Sequence, residues 1–227
     1  MAGAIWHRWS QTPATWGRWA TYVAIYVEVV STNLVPPAAR GRPVATTHAA
    51  IEHAAFQLFA RKGFASTTLQ EIATEVGVGR RTLFRYYASK NDIPWGQFAS
   101  TLTTFRAALE DADPDRPVWE AVHQGVLQFN TFPAAAQPTH RERMRLLLTT
   151  PELQAHAVHQ HAAWRGVIES FVADRLGCDP AGTLPRMAGH VSLALALTAY
   201  DGWLRDPAAD LLTELDRAMR ELRSYLR

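Results

Sequence analysis

A chain of 227 residues that is 48% hydrophobic and 19% charged can bury a substantial core, which excludes the disordered and collagenous classes. Its single cysteine, Cys178, excludes an internal disulfide framework and a cysteine-rich zinc site, and no stretch reaches the roughly 18 uninterrupted apolar residues of a membrane span. The net charge of +2 hides a division: residues 1–39 carry +1, residues 40–97 carry +4 and residues 98–227 carry −3. A basic block joined to a mildly acidic body suits a polyanion partner.

Residues 1–39 read unlike the rest. Trp6, Trp9, Trp16 and Trp19 fall among Pro, Gly and Thr without an apolar period, and the apolar run from Ala20 to Val30 is short and interrupted by Glu28. Arg8 and Arg18 precede that run as in a secretory signal, but no small-x-small cleavage site follows before Pro36-Pro37. The segment is expected to be a disordered or non-native N-terminal extension, and the protein is expected in the cytoplasm with no membrane partner.

From Thr46 onward the periodicity is helical. Ile51, Ala54, Ala55, Leu58 and Phe59 share one face of a first helix, with Thr46 or Thr47 as cap and Gly63 as its end. Thr67 or Thr68 caps a second helix through Val76, and Thr68 with Glu71 has capping-box spacing. After Gly77, Val78 and Gly79 a third short helix is expected to run to about Tyr87. A helix capped by Ser89 is expected to run towards Asp111. Further helices are expected over about Val118–Thr131, Thr139–Leu148, Pro151–Leu176, from Pro185 past Trp203, and from Leu211 to Leu226. No segment alternates with period two for long enough to argue a strand. The expected fold is all-α, with a three-helix head over residues 40–90 and a body of about six helices over residues 91–227.

The second and third helices, joined across a glycine turn, have the form of a helix-turn-helix. Arg80, Arg81, Thr82, Phe84, Arg85, Tyr86 and Tyr87 set three arginines and three aromatics into eight residues. A major groove admits one α-helix, and guanidinium groups donate in pairs to guanine O6 and N7. Charge alone leaves a second reading open, a solvated basic helix with Leu83 and Tyr87 turned into a core.

The stretch Ala54–Phe64, then Thr67-Thr68-Leu69-Gln70-Glu71-Ile72-Ala73, then Val76–Lys90 resembles the DNA-binding head of TetR-family transcriptional regulators over about 45 residues. Gly79–Tyr87, Ser89-Lys90-Asn91-Asp92, Trp95-Gly96, the run His140–Leu146 and Leu153-Gln154-Ala155-His156 are further similar to the subgroup that regulates mycofactocin biosynthesis. The resemblance implies double-stranded operator DNA as partner, read by Arg80, Arg81 and Arg85 with Thr82 and Phe84 beside them. Thr47 and Thr68 are placed with the DNA-contacting residues. Gly79 stands where many members have a capping Ser, and Phe84 replaces a frequent Tyr, so only apolar contact remains there. Tyr86 and Lys90 occupy positions commonly used for phosphate contact. Arg40 and Arg42, before the first helix, form either a minor-groove arm or a solvated linker.

For the body the resemblance implies a homodimer and a pocket for a small hydrophobic effector, with a long-chain acyl-CoA as candidate. The last two helices offer Val191, Leu195, Trp203, Leu211, Leu215, Met219 and Leu222 for dimerisation, shared with the chain's own core. Trp95, Phe98, Leu102, Phe105 and Val126 are the first candidates for the pocket wall, with Phe129, Leu147, Trp164 and Ile168 completing it. Periodicity turns all of them inward, where a wall and a dry core read alike. Arg141, Arg143 and Arg145 read either as phosphate contacts at the pocket mouth or as a solvated helix face. An efflux or lipid-metabolism operon with a different effector is the alternative. A remoter one is a metal-dependent enzyme built on His156, His159 and His161 with His123 and His140. His161 points away from that face, and Cys178 sits in a Gly-Cys-Asp-Pro turn with no base beside it. No catalytic residue, metal or cofactor is expected.

Overall fold

The computed structural model describes residues 46–133 and 135–225; the expectations for residues 1–39, Arg40 and Arg42 lie outside the described residues. Those described are helical, and no strand occurs among them. The head consists of α1 (His48–Lys62), α2 (Leu69–Glu75) and α3 (Arg80–Leu83), followed by a 3-10 helix, Lys90–Trp95. The body holds α4 (Phe98–Glu110), α5 (Val118–Phe129), α6 (His140–Thr149), α7 (Pro151–Leu176), α8 (Thr183–Arg205) and α9 (Leu211–Tyr225). None of these helices is long and apolar enough to cross a membrane.

Local chemistry sets the boundaries. Thr47 Oγ1 accepts the Ala50 N–H at 3.1 Å and opens α1, and Thr68 and Glu71 close a reciprocal capping box on α2. Gly77, at φ +69°, makes the turn between α2 and α3 in a conformation L side chains rarely adopt. The Val78 N–H then bonds back to Ala73 O at 2.9 Å. Thr139 and Glu142 form another capping box on α6, and Pro151 starts α7 in the first turn, where its missing N–H costs nothing.

Two expected helices are shorter in the structure. The third is regular only to Leu83; beyond it the Arg85 and Tyr86 N–H groups bond three residues back, to Thr82 O and Leu83 O. That tighter winding brings Tyr87 into the core, where it is 5% exposed. The helix expected from Ser89 to Asp111 is broken in two. Pro94 offers no N–H, and Gly96 stands at φ +59°, so the chain turns a corner before α4 begins at Phe98.

The head core gathers Ile51, Leu58, Phe59, Ile72, Leu83 and Tyr87, and it also takes Leu147 from α6 and Leu153 from α7. The body core lies between α4, α5, α7, α8 and α9 around Phe105, Val126, Trp164, Ile168, Trp203 and Leu215. Of the surface expected for dimerisation, Trp203, Leu211, Leu215 and Met219 are buried within the chain. The reason is that α9 folds back onto α8 and spends its apolar stripe there. Four large aliphatic side chains remain exposed on α7 and α8: Val158, Leu176, Leu184 and Met187.

Candidate nucleic-acid interface and internal cavity

Arg80, Arg81, Phe84 and Arg85 are exposed around α3 and the turn after it. Arg80 leans over the Phe84 ring at 5.3 Å, and none of the three guanidinium groups has a hydrogen bond or ion pair to another described residue. Elsewhere the arginines are mostly committed, as Arg61 is to Glu75 and Arg220 to Asp216. Three uncommitted guanidiniums in six residues, at the start of an exposed helix, have the chemistry that base edges and phosphates require. Thr82 is half-buried beside them, and Gly79 opens the helix without a side-chain cap.

Four other residues expected at the interface have work inside the protein. Thr47 and Thr68 cap α1 and α2. The Tyr86 hydroxyl donates to Thr46 O, and its ring meets His48 edge-on. The Lys90 ammonium donates to Phe64 O at 2.8 Å, Thr67 O at 2.9 Å and Ala65 O at 3.3 Å, and lies 4.4 Å from the Phe64 ring centroid. Its ammonium is thus directed at the loop after α1, a task inside the head beside the phosphate contact that the resemblance implies. Burial pushes its pKa down from the ordinary lysine value, against the opposite pull of Glu152.

Between the head and the body lies a cavity of about 530 Å³. Trp95, Phe98, Phe129, Leu147 and Trp164 line it as the sequence predicts. Leu102, Phe105, Val126 and Ile168 do not, because they are turned into the body core; Val126 and Ile168 are wholly inaccessible. The side of α4 that borders the cavity is instead its hydroxyl face, including Ser100, Thr101 and Thr104. Thr101 and Thr104 donate to the carbonyls four residues back, which satisfies their hydroxyls locally.

The cavity also has a polar chain that periodicity does not reveal. The Tyr200 hydroxyl donates to Asn130 Oδ1, and Asn130 Nδ2 donates to Val126 O at 2.8 Å. His140 Nε2 stands 3.1 Å from the Tyr200 oxygen, whose proton is already given away, so Nε2 is the donor. Phe132 stacks on that ring at 3.8 Å. Burial, and then the Arg143 charge, hold the His140 pKa down at about 3. Glu52 and Arg143 complete the wall on the side of the head. Glu52 is legible in hindsight: it stands three residues before Ala55 and seven before Phe59 on the buried face of α1, a position where a carboxylate needs a partner. Asn130, His140 and Tyr200 come together across 60 to 70 residues of chain, with no local signal.

The other histidines are placed apart. His156 pairs with Asp92 Oδ1 at 2.9 Å and ties α7 to the 3-10 helix, while His161 lines the cavity beside Trp95. Among the described residues no cluster of three metal-ligating side chains forms.

The depressed His140 pKa predicts an acid-side loss of stability. The unfolded imidazole takes a proton near pH 6.5 and the folded one only near pH 3, so its contribution is complete above 6.5 and declines as pH falls between those values. The expected slope approaches roughly 1 kcal/mol per pH unit, and burial depresses His123 and His161 in the same direction. Urea unfolding at pH 7.5, 6 and 5 should show this decline, and His140→Asn should make it shallower. An unchanged slope in that variant would mean that His140 takes its proton in the native state.

The family of bacterial regulatory proteins named tetR matches residues 51–93, and the MftR C-terminal domain family matches residues 116–227. The protein of Mycobacterium tuberculosis assigned as the mycofactocin biosynthesis transcriptional regulator MftR is 42% identical over 178 residues, covering 78% of this chain and 90% of that one. The HTH-type transcriptional regulator TcmR of Streptomyces glaucescens is 28% identical over 157 residues, 66% of this chain and 70% of its own. Two solved structures share the fold. NalD of Pseudomonas aeruginosa, the secondary repressor of the MexAB-OprM multidrug efflux pump, superposes with a TM-score of 0.54 at 23% identity, over 78% of this chain and 94% of its own. The fatty acid degradation regulator FadR of Bacillus halodurans superposes with a TM-score of 0.56 at 17% identity, over 77% and 96%. On its sequence relatives and its fold, the chain belongs to the TetR family of transcriptional regulators, DNA-binding proteins and not enzymes.

Proposed function

We propose that this protein is a repressor that leaves a palindromic operator when a hydrophobic effector enters the cavity between head and body. One observation carries the reading: the cavity wall includes residues of the head itself. Ala49 and Glu52 belong to α1, Trp95 ends the 3-10 helix that follows the head, Gly96 forms the corner after it, and Leu147 of α6 both lines the cavity and fills the head core. Filling that space changes what the head rests on. A ligand shifts the equilibrium only by its differential affinity for the two head positions.

A long-chain acyl-CoA is the candidate effector. Its alkyl chain suits a mainly aromatic and aliphatic wall, and about 530 Å³ lies in the usual range for small-molecule sites. The kinship with the mycobacterial regulator makes the mycofactocin biosynthesis genes the candidate target. Arg80, Arg81 and Arg85 read bases, with Thr82 and Phe84 against the groove. The site of action is the cytoplasm.

The active species is a homodimer, which presents two recognition helices to one face of the duplex. The aliphatics left exposed on α7 and α8 support an interface there, since the α9 stripe is spent within the chain. Leu184→Glu with Met187→Glu should convert the dimer to monomer in sedimentation equilibrium, with the helix content kept; a variant that stays dimeric would put the interface elsewhere.

Fluorescence-anisotropy titration tests the function directly, with DNA from upstream of the gene and its neighbours, at two salt concentrations, with and without oleoyl-CoA. Tight, salt-dependent binding to one fragment, released by oleoyl-CoA, is expected. Binding without a preferred fragment would remove the operator from that locus, and binding that ignores oleoyl-CoA would remove the acyl-CoA class.

A further inference from the structure

We propose that the Glu52–Arg143 ion pair is the contact through which occupancy of the cavity reaches the recognition helix. The proposal rests on the effector reading given above and assigns its transmission to two residues. Arg143, on α6, donates through Nη2 to Glu52 Oε2 on α1 and through Nη1 to Pro94 O at 2.7 Å. One guanidinium thus holds both the first helix of the head and the 3-10 helix that follows the head. The second carboxylate oxygen of Glu52 accepts the Tyr87 hydroxyl at 2.6 Å. Tyr87 lies four residues beyond Leu83, the last residue of α3, and is itself in the head core. A continuous line of polar contacts therefore runs from the cavity wall through Arg143 and Glu52 to the end of the recognition segment.

That line has no slack on the cavity side. A single carbon added at Gly96 would stand 3.1 Å from Arg143 Nη1 and 3.1 and 3.2 Å from the two Glu52 oxygens. An occupant that presses into this corner must displace the guanidinium or the carboxylate. The pair has a made and a broken arrangement: Glu52 is only 8% exposed, and without the guanidinium its carboxylate keeps Tyr87 as hydrogen-bond donor and must otherwise be hydrated from the cavity.

The other ties between head and body transmit less. His156–Asp92 joins α7 to the 3-10 helix, but neither residue lines the cavity, and the same is true of Leu153. Leu147 does line it, yet an apolar contact slides and has no made-or-broken state. Coupling needs an element with two states that both sites bias, and the ion pair is that element here.

The test uses E52Q and E52Q/R143M in the full-length protein. The first keeps the volume and one acceptor oxygen but leaves the Arg143 charge without its carboxylate, whereas the second removes both charges at similar volume and leaves no lone charge. Thermal melts check that the variants fold. Tryptophan fluorescence with oleoyl-CoA, in the absence of DNA, reads occupancy of the cavity beside Trp95 and Trp164 independently of operator binding. Both variants are expected to bind the operator fragment at least about fivefold more weakly than the parent before any ligand is added, the low end of ordinary coupling. Both should still bind oleoyl-CoA and lose most of the further release that it causes in the parent. If the parent's fluorescence and operator binding ignore oleoyl-CoA, the effector reading fails for that ligand, while the ligand-free operator affinities still decide the role of the pair. If both variants bind operator as the parent does and are released by oleoyl-CoA to the same extent, the pair is a structural tie and the proposal is overturned.

Discussion

Replacing Arg80 and Arg85 together by alanine should cost the protein its ability to choose among DNA sequences, while its folded state survives. Both guanidinium groups are exposed and have no polar partner among the described residues, so their loss strands no buried group and leaves the melting temperature within about 2 °C of the parent. Each base contact is worth roughly 1–3 kcal/mol, so the double variant should lose on the order of two to four decades of affinity for its operator and far less for unrelated DNA. Lys90→Ala is the informative contrast. Its ammonium closes the loop after α1 on three carbonyls. Losing it should lower the melting temperature and weaken operator binding only through that loss of head stability, with the salt slope unchanged. Anisotropy at several salt concentrations, paired with thermal melts, separates the two cases. A stable Lys90→Ala protein whose salt slope falls by about one would restore Lys90 to the phosphate backbone.

What the sequence reveals about this fold depends on whether a residue's task is set within one helix or between several. The caps of α1, α2 and α6 and the glycine turn at Gly77 are local, and each follows from residues three or four apart. Helical period also orients Phe98, Phe129 and Trp164 inward. It cannot divide an inward face between a dry core and a cavity wall, which is why Phe105 and Ile168 were expected beside Phe98 and are instead packed solid. Conversely, Thr101 and Thr104 count as polar in any hydropathy pattern, yet their hydroxyls are satisfied by their own helix and both residues line the cavity. The break between the 3-10 helix and α4 falls at Pro94 and Gly96, whereas Ser89 with Asp92 has capping-box spacing and by itself reads as the start of one long helix. The final stripe on α9 met the same limit, since its period says that it is buried and not whether α8 or a second copy covers it.

The largest stability effect should come from a residue that reads as surface charge. Arg141 stands in the run His140-Arg141-Glu142-Arg143-Met144-Arg145, whose alternating arginines suggest either a phosphate site or a solvated face. Arg145 is exposed, Arg143 holds Glu52, and Arg141 is a staple for the far end of the body. Its Nη1 donates to Trp203 O at 2.6 Å and Asp206 O at 3.2 Å, and its Nη2 donates to Ala209 O at 3.1 Å. The guanidinium carbon lies 4.2 Å from the Trp203 ring. It therefore caps carbonyls at the C-terminal end of α8, where the helix dipole favours a cation, and fixes the loop that returns the chain to α9. Hydrogen bonds from a charged donor and a cation–π contact together make Arg141→Ala cost about 3 kcal/mol, a fall of roughly 6–12 °C in melting temperature for a protein of this size. Arg141→Lys should recover only part of it, because a point-like ammonium lacks the planar face that the guanidinium lays on the Trp203 indole and the fork that divides Nη1 and Nη2 between separate carbonyls. At a temperature well below the melt, Arg141→Ala should still bind the operator and oleoyl-CoA as the parent does. A variant with an unchanged melt but weakened acyl-CoA binding would return Arg141 to the mouth of the effector site, and the carbonyl contacts would then be incidental to the fold.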